Sequence, residues 1–312
     1  MTPETTSQTL LLNRLRMRQV SLLLAIEEHG TLHAASARLG MTQPAASKIL
    51  NELEDALGHP LFDRVGRGLK LNDEGRCVLA YFRGLRGTMV ALGRELQAIR
   101  QGSVGKLFVG SIMAASPAHL TQALIRLKEL YPLLAVEITV GTSDRLIERL
   151  QDGALDLVVG RVTSQLVDNY VFSPIAHEPL SVVVSTTHPL VGKARVKFNA
   201  LLDFPWILQP SGSPMREVIE QEFTMHQARL PKGLIETASI LTTTNLIAQT
   251  QMIAVIPRSI ATRYQKHQLL NILPYAIEHK LEAFGSIVRR DRPLSSSANT
   301  FMSLLHEYPE EK

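Results

Sequence analysis

Residues 31–64, TLHAASARLGMTQPAASKILNELEDALGHPLFDR, constrain this chain more tightly than any other stretch. They predict two short helices joined by a tight turn, the second opening on small and polar side chains. Ala34, Ala35 and Ala37 allow close helix packing, and Gly40 can take the left-handed conformation that ends the first helix. Thr42 is the N-cap candidate of the second helix, and Pro44 is tolerated in its first turn, where no intrahelical N–H bond is lost. Gln43, Ser47, Lys48 and Asn51 follow on the exposed side. Amides and hydroxyls bond base edges and a lysine reaches guanine or phosphate, so such a helix end suits the major groove of DNA.

The same spacing would serve an ordinary helical hairpin with a solvated face, and the flanks decide between the two. Ahead, Val20, Leu23, Leu24 and Ile26 give a supporting helix one apolar face. Behind, Leu61-Phe62-Asp63-Arg64 leads into Val65-Gly66-Arg67-Gly68-Leu69-Lys70-Leu71. This glycine-rich hairpin carries three cations and one carboxylate, as a wing lying along phosphates would. The expected DNA contacts are Thr31, Thr42, Gln43, Pro44, Ser47, Lys48 and Asn51 on the helices, and Arg64, Arg67 and Lys70 on the wing.

From residue 73 to about 101 the apolar residues Val78, Phe82, Leu85, Met89, Leu92, Leu96 and Ile99 alternate at spacings of four and three. That heptad seam predicts a long helix that pairs with another copy of the chain; packing against its own domain is the alternative. Gly84, Gly87 and Gly93 each weaken such a helix by roughly 0.8–1 kcal/mol relative to alanine. Cys77 reads as a small buried hydrophobe rather than a redox sensor, since no second thiol exists to resolve it.

After Gly105 the pattern is α/β. Strands are expected at 106–111, 136–140 and 155–160, with helices at 118–130 and 144–151, an order that implies parallel pairing. A second set runs through 180–184, 206–208, 214–227, 234–237, 242–249 and 253–256. Two such lobes make a doubly wound pair with a cleft at the carboxyl ends of the strands. Loops at those ends carry hydroxyls at Ser111, Ser116, Thr142, Ser143, Ser211, Ser213, Ser239 and Thr242. N-capping accounts for any one of them, while convergence on one cleft favours a ligand. Arg216 is either a counter-ion for a ligand carboxylate or a solvated helix-surface residue.

Residues 18–75 resemble the winged helix-turn-helix of LysR-type transcriptional regulators. The matching elements are the Ala-Ala pair after Gly30-Thr31-Leu32, Thr42-Gln43-Pro44-Ala45-Ala46-Ser47, Leu53-Glu54, Leu57-Gly58, Leu61-Phe62-Asp63-Arg64, and Leu71-Asn72 before Gly75. The rest of the chain fits the same family, and 213–224 and 236–261 are similar to the branch typified by the galactose-binding-protein regulator, whose members respond to sugars. The resemblance implies a winged helix-turn-helix at 1–72, a linker and dimerisation helix at 73–102, and a periplasmic-binding-protein-like effector domain at 103–312. Its first lobe would be about 103–161 and 275–312, its second about 162–274. It implies an effector contact at Thr142 and at the loop from Pro210 to Ser213. It further implies an obligate dimer, usually a tetramer, that binds an interrupted inverted repeat in promoter DNA and engages RNA polymerase. The expected effector is a sugar, sugar acid or carboxylate, since aromatics make up 5% of the chain and Trp206 offers no stacked platform.

Composition agrees. At 312 residues the chain exceeds one small core, and a net charge of +4 permits nucleic-acid binding. No run reaches the roughly 18 apolar residues of a membrane span, the polar start MTPETTSQT is not a signal peptide, and one cysteine suits a reducing cytoplasm. An enzyme is disfavoured: there is no phosphate loop or nucleophile elbow, no metal or cofactor motif, and His29, His177 and His188 read as lone surface histidines. The alternative function is a constitutive regulator or architectural DNA binder without an effector.

Overall fold

The computed structural model describes residues 14–65, 68–100, 105–162 and 169–307; the side chains of Arg64, Val65, Glu95, Ser116, Pro117 and 98–100 lie outside that description. Contacts divide the chain into two units, meeting at Leu92 and Gly93.

The first unit packs α1 (Met17–His29), α2 (Leu32–Arg38) and α3 (Gln43–Leu57) before a hairpin of β1 (Phe62–Val65) and β2 (Gly68–Leu71). The expected caps form: Thr31 Oγ1 accepts from Ala34 N–H at 3.1 Å, Thr42 Oγ1 accepts from Ala45 N–H at 3.4 Å, and Gly40 sits at φ +66°. Ala35 and Ala46 are fully buried where α2 and α3 close on Leu22 and Ile26 of α1. Glu54 Oε1 accepts from Leu61 N–H at 2.7 Å, tying α3 to the entry of the hairpin.

The long helix α4 (Asp73–Arg100) departs from the expected arrangement. Its first half belongs to the first unit, where Phe82 and Leu79 are buried and Val78 and Leu85 pack against Val20, Leu23, Leu53 and Leu61. The start of the predicted seam is therefore core of its own domain, because the three-helix module alone cannot cover Leu23 and Leu61. Met89, Leu92 and Leu96 stay exposed, and the side chain of Ile99 lies outside the described residues. The boundary expected at 72 and 73 is displaced into the helix. Cys77 is exposed, not buried.

The second unit holds two sheets. The first has the order β4-β3-β5-β12-β6, from Lys106–Ser111 (β3), Ala135–Val140 (β4), Leu157–Arg161 (β5), Tyr170–Ala176 (β6) and Phe284–Arg289 (β12). The second has the order β11-β7-β10-β8-β9, from Leu180–Val184 (β7), Trp206–Leu208 (β8), Ile235–Glu236 (β9), Ile253–Pro257 (β10) and Asn271–Ile272 (β11). Strand β3 pairs parallel with β4 and β5, and β8 parallel with β9 and β10. Pairings of β12 with β5 and β6, and of β7 with β10 and β11, are antiparallel.

Those antiparallel strands move the lobe boundaries. Strand β6 joins the first sheet, so the chain changes lobes at 177–179 rather than near Arg161. The return is later than expected too, because Tyr275, Ile277 and Leu281 pack in the core of the second lobe and Phe284 is the first residue of β12. Apolar alternation alone cannot tell which sheet will accept a strand. Flanking the sheets are α5 (Thr121–Leu130), α6 (Ser143–Gln151), α7 (Phe198–Leu201), α8 (Pro214–Met225), α9 (Ile240–Gln249), α10 (Arg258–Lys266) and α11 (Ser296–His306). Among the described residues no helix is long and apolar enough to cross a membrane, and no cluster of His, Cys, Asp and Glu could hold a metal ion.

Candidate nucleic-acid interface and ligand cleft

The outer face of α3 is polar and uncommitted. Gln43, Lys48 and Asn51 are exposed and Ser47 half-buried, and none of them makes a hydrogen bond within the described residues. Positions 43, 47 and 51 fall one turn apart on one face, with Pro44 and Lys48 beside them. The opposite face, Ala46, Ile49, Leu50 and Leu53, is buried and holds the helix rigid. At the wing Lys70 is exposed opposite Asp63 in the hairpin register. The side chains of Arg64 and Arg67 lie outside the described residues.

Gly75 and Asn72 have structural roles. Asn72 donates to Pro60 O at 2.9 Å and accepts from Gly75 N–H at 2.7 Å, capping α4 against the hairpin. A Cβ on Gly75 would lie 2.1 Å from Leu61 O, so only glycine allows this approach.

Between the two lobes lies a cavity of about 20 Å³, room for roughly one water molecule. Residues 112–114, 141–143 and Arg161 line it from the first lobe, and Gln209, Pro214, Met215 and Pro257 from the second. Thr142 is buried at the N-terminus of α6, yet its hydroxyl makes no capping bond. Ser143 Oγ accepts from Arg161 N–H at 3.0 Å.

Several expected cleft residues are not in its lining. Ser111 is fully buried and its hydroxyl donates to Ile112 O at 3.1 Å; the side chain of Ser116 lies outside the described residues. A slow turn over 113–120 separates β3 from α5, so backbone at 112–114 takes the place expected for a serine. Ser213 caps α8, accepting from Arg216 N–H at 3.3 Å and donating to Pro210 O at 2.9 Å. Pro210 and Ser211 stand beside lining residues Gln209 and Pro214 without reaching the cavity. Ser239 caps α9 by accepting from Thr242 N–H at 3.2 Å, and Thr242 lines a separate surface groove with Asn245 and Gln249.

Arg216 is neither solvated nor available to a ligand. Its Nε reaches Glu220 at 2.7 Å, and its Nη1 reaches Glu236 at 2.9 Å and Gln209 O at 3.1 Å. His188 is no surface residue: buried, its Nε2 faces Gln251 O at 3.2 Å and its Nδ1 accepts from Leu190 N–H at 3.2 Å. The cleft residue that sequence reading passed over is Arg161, an arginine closing the apolar run Leu157–Arg161. A charge at the carboxyl end of a buried strand was the signal available.

Comparison with known proteins gives two family matches. Residues 17–76 match "Bacterial regulatory helix-turn-helix protein, lysR family", and residues 100–310 match "LysR substrate binding domain". The HTH-type transcriptional regulator GbpR of Azospirillum brasilense is 33% identical over 294 residues, 94% of this chain and 86% of that one. Full-length CbnR in complex with its target DNA is similar in fold, with TM-score 0.54 and 22% identity over 93% of this chain and 99% of that one. The effector-binding domain of QuiR in complex with shikimate has TM-score 0.56 and 18% identity, covering 66% of this chain and 97% of that one.

Proposed function

Because this chain belongs to the LysR family of transcriptional regulators, we propose that it binds an interrupted inverted repeat in promoter DNA and alters transcription when a small polar metabolite enters its interlobe cleft. Members of this family are transcriptional regulators with an effector-binding domain, not enzymes. The observation that carries the DNA-binding half is the uncommitted face of α3, with Gln43, Ser47, Lys48 and Asn51 backed by a buried apolar underside. Thr31, Thr42 and Pro44 set the helix starts, and Arg64, Arg67 and Lys70 hold the wing to phosphates.

An inverted repeat needs paired modules. Met89, Leu92 and Leu96 are each 44–50% exposed along α4, an apolar stripe that a second copy of the chain would cover. Dimers then join as a tetramer. CbnR has been seen bound to its target DNA and the QuiR domain bound to shikimate, which supports both halves of this reading. A cavity of about 20 Å³ cannot admit a metabolite, so the lobes open to load it and close on it. The change in closure shifts the spacing of the DNA-reading pairs and with it the access of RNA polymerase.

The same small cavity favours a second reading, a regulator with no small-molecule effector. Thermal unfolding of the full chain against sugars, sugar acids and aromatic carboxylates separates the two. A ligand at a hundred times its Kd adds about 2.7 kcal/mol. One hit that also alters a DNase footprint supports effector control. Silence across the panel with an intact footprint favours the constitutive reading.

A further inference from the structure

Arg161 ends β5 at the mouth of the cleft, on a strand that is buried along its whole length. It is 5% exposed and is the only charged side chain among the described residues lining the cavity. Its Nε donates to Glu282 O at 3.0 Å, but its Nη2 is buried with no hydrogen-bond partner among the described residues. Burial pulls this guanidinium down to about 10, partly offset by the Glu178 carboxylate, so it stays cationic at neutral pH. Glu178 has a second donor to serve, the Ser259 N–H at 2.8 Å.

A buried cation with an open donor is a costly arrangement unless something supplies the missing acceptor. One water would fit the space and satisfy the donor, but it would leave the charge unbalanced. Two further features of the cavity wall suit a negative group. The first-turn N–H groups of α6 point along a dipole that attracts anions, and the Thr142 hydroxyl at that end makes no capping bond. Asp144, the carboxylate in the same turn, is not among the residues lining the cavity.

We propose that the effector is an anion whose carboxylate is bound by Arg161 Nη2 and the Thr142 hydroxyl at the N-terminus of α6. The proposal rests on the cleft being the effector site and narrows the metabolite to a sugar acid or another small carboxylate. A neutral hexose would leave Nη2 unsatisfied and is rejected, because a site built to hold a polar group discriminates strongly against a ligand lacking it.

Matched pairs test this with the full-length protein: galactonate and galactose, gluconate and glucose, shikimate and its methyl ester, benzoate and benzamide. Thermal unfolding is followed at constant ionic strength and about 10 mM ligand. At least one acid should raise Tm while its neutral partner does not. In Arg161→Gln that acid should bind at least about 30-fold more weakly, as when one partner of a buried charge pair is removed. Arg161→Lys should retain part of the affinity, keeping the charge without the fork, and serves as the test should the glutamine variant misfold.

The proposal falls if a neutral member binds as well as its acid, if affinity survives in both Arg161 variants, or if no acid shifts Tm. Loss in Thr142→Val with full binding in Arg161→Gln leaves the cleft as effector site and removes only the anion. Binding untouched by both Thr142→Val and Arg161→Gln removes the cleft reading itself.

Discussion

The face of α3 and the interlobe cleft both hold polar groups for a partner, but they hold them oppositely. On α3 the groups stand in water, unpaired at no cost, above a buried row of Ala46, Ile49, Leu50 and Leu53. In the cleft a group withdrawn from water must be satisfied before any ligand arrives. Ser111, Ser213 and Ser239 are accordingly spent on backbone partners. What the cleft still offers is the small remainder, the Thr142 hydroxyl and the Arg161 Nη2. Function on the DNA side is marked by exposure over a rigid core; in the cleft it is marked by burial without a partner.

The largest break in that comparison should come from Gly75→Ala. The added Cβ meets Leu61 O at 2.1 Å and Leu71 Cδ2 at 2.7 Å, and backbone cannot yield as a side-chain tip would. Overpacking of this kind costs about 3 kcal/mol. The loss should fall on the DNA-binding unit, abolishing promoter binding while ligand-induced stabilisation of the second unit persists. A variant with wild-type Tm and full DNA affinity would show that the approach of α4 to the hairpin is not needed to hold the wing.

Next in size are changes on α3 itself. Gln43→Ala and Ser47→Ala should each lose about 1–3 kcal/mol of discrimination between cognate and mismatched sites. Being away from the core, they should move stability by no more than about 0.5 kcal/mol. Lys70→Ala should weaken all duplexes alike and reduce the slope of log K against log salt by about one. Titrations against cognate and scrambled duplexes at several salt concentrations distinguish these patterns. Loss of only the cognate site in the wing variant would reverse the assignment of readout to α3 and anchoring to the wing.

The cleft offers a sharper pair. Ser213→Ala removes a formed cap and should cost about 1 kcal/mol of stability with little effect on ligand affinity. Thr142→Val removes no cap and should leave stability unchanged while weakening the ligand. If instead Thr142→Val destabilised and Ser213→Ala weakened binding, the division between spent and reserved hydroxyls would be wrong.

This division also explains what could be read from the sequence. The helix-turn-helix was legible because its signals are local: Gly40, Thr42 and Pro44 fix the turn within a few residues, and the apolar period fixes the buried face. Strand β6 was not, since its place in the first sheet depends on Phe284–Arg289, more than a hundred residues away. The hydroxyl-bearing loops were visible, but whether a serine caps a helix or faces a ligand depends on its rotamer and on the length of the preceding turn. Arg216 illustrates the same limit, because Glu220 and Glu236 claim it only once β9 lies beside α8. Arg161 could have been flagged as a charge in an apolar strand, though its open donor exists only in the folded packing.

The smallest expected effect concerns a buried polar group that serves no ligand. His188 lies in the second lobe with Nδ1 accepting from Leu190 N–H, which requires that nitrogen to be unprotonated, so its Nε2 donates to Gln251 O. The ring of Phe204 lies 4.3 Å from it, centroid to centroid. Burial holds the imidazole below its ordinary range, with the Gln251 carbonyl offsetting part of the shift. As pH falls through about 6.5 the unfolded chain takes up a proton that the folded chain refuses, so stability is complete above that pH and declines below it. His306, held low by burial and by His119, contributes in the same direction from the first lobe. The fall in Tm between pH 7 and pH 5 should therefore be shallower, though not abolished, in His188→Asn. An unchanged slope would mean that His188 accepts its proton in the folded state, and that this lobe, unlike the cleft, can accommodate an unpaired buried charge.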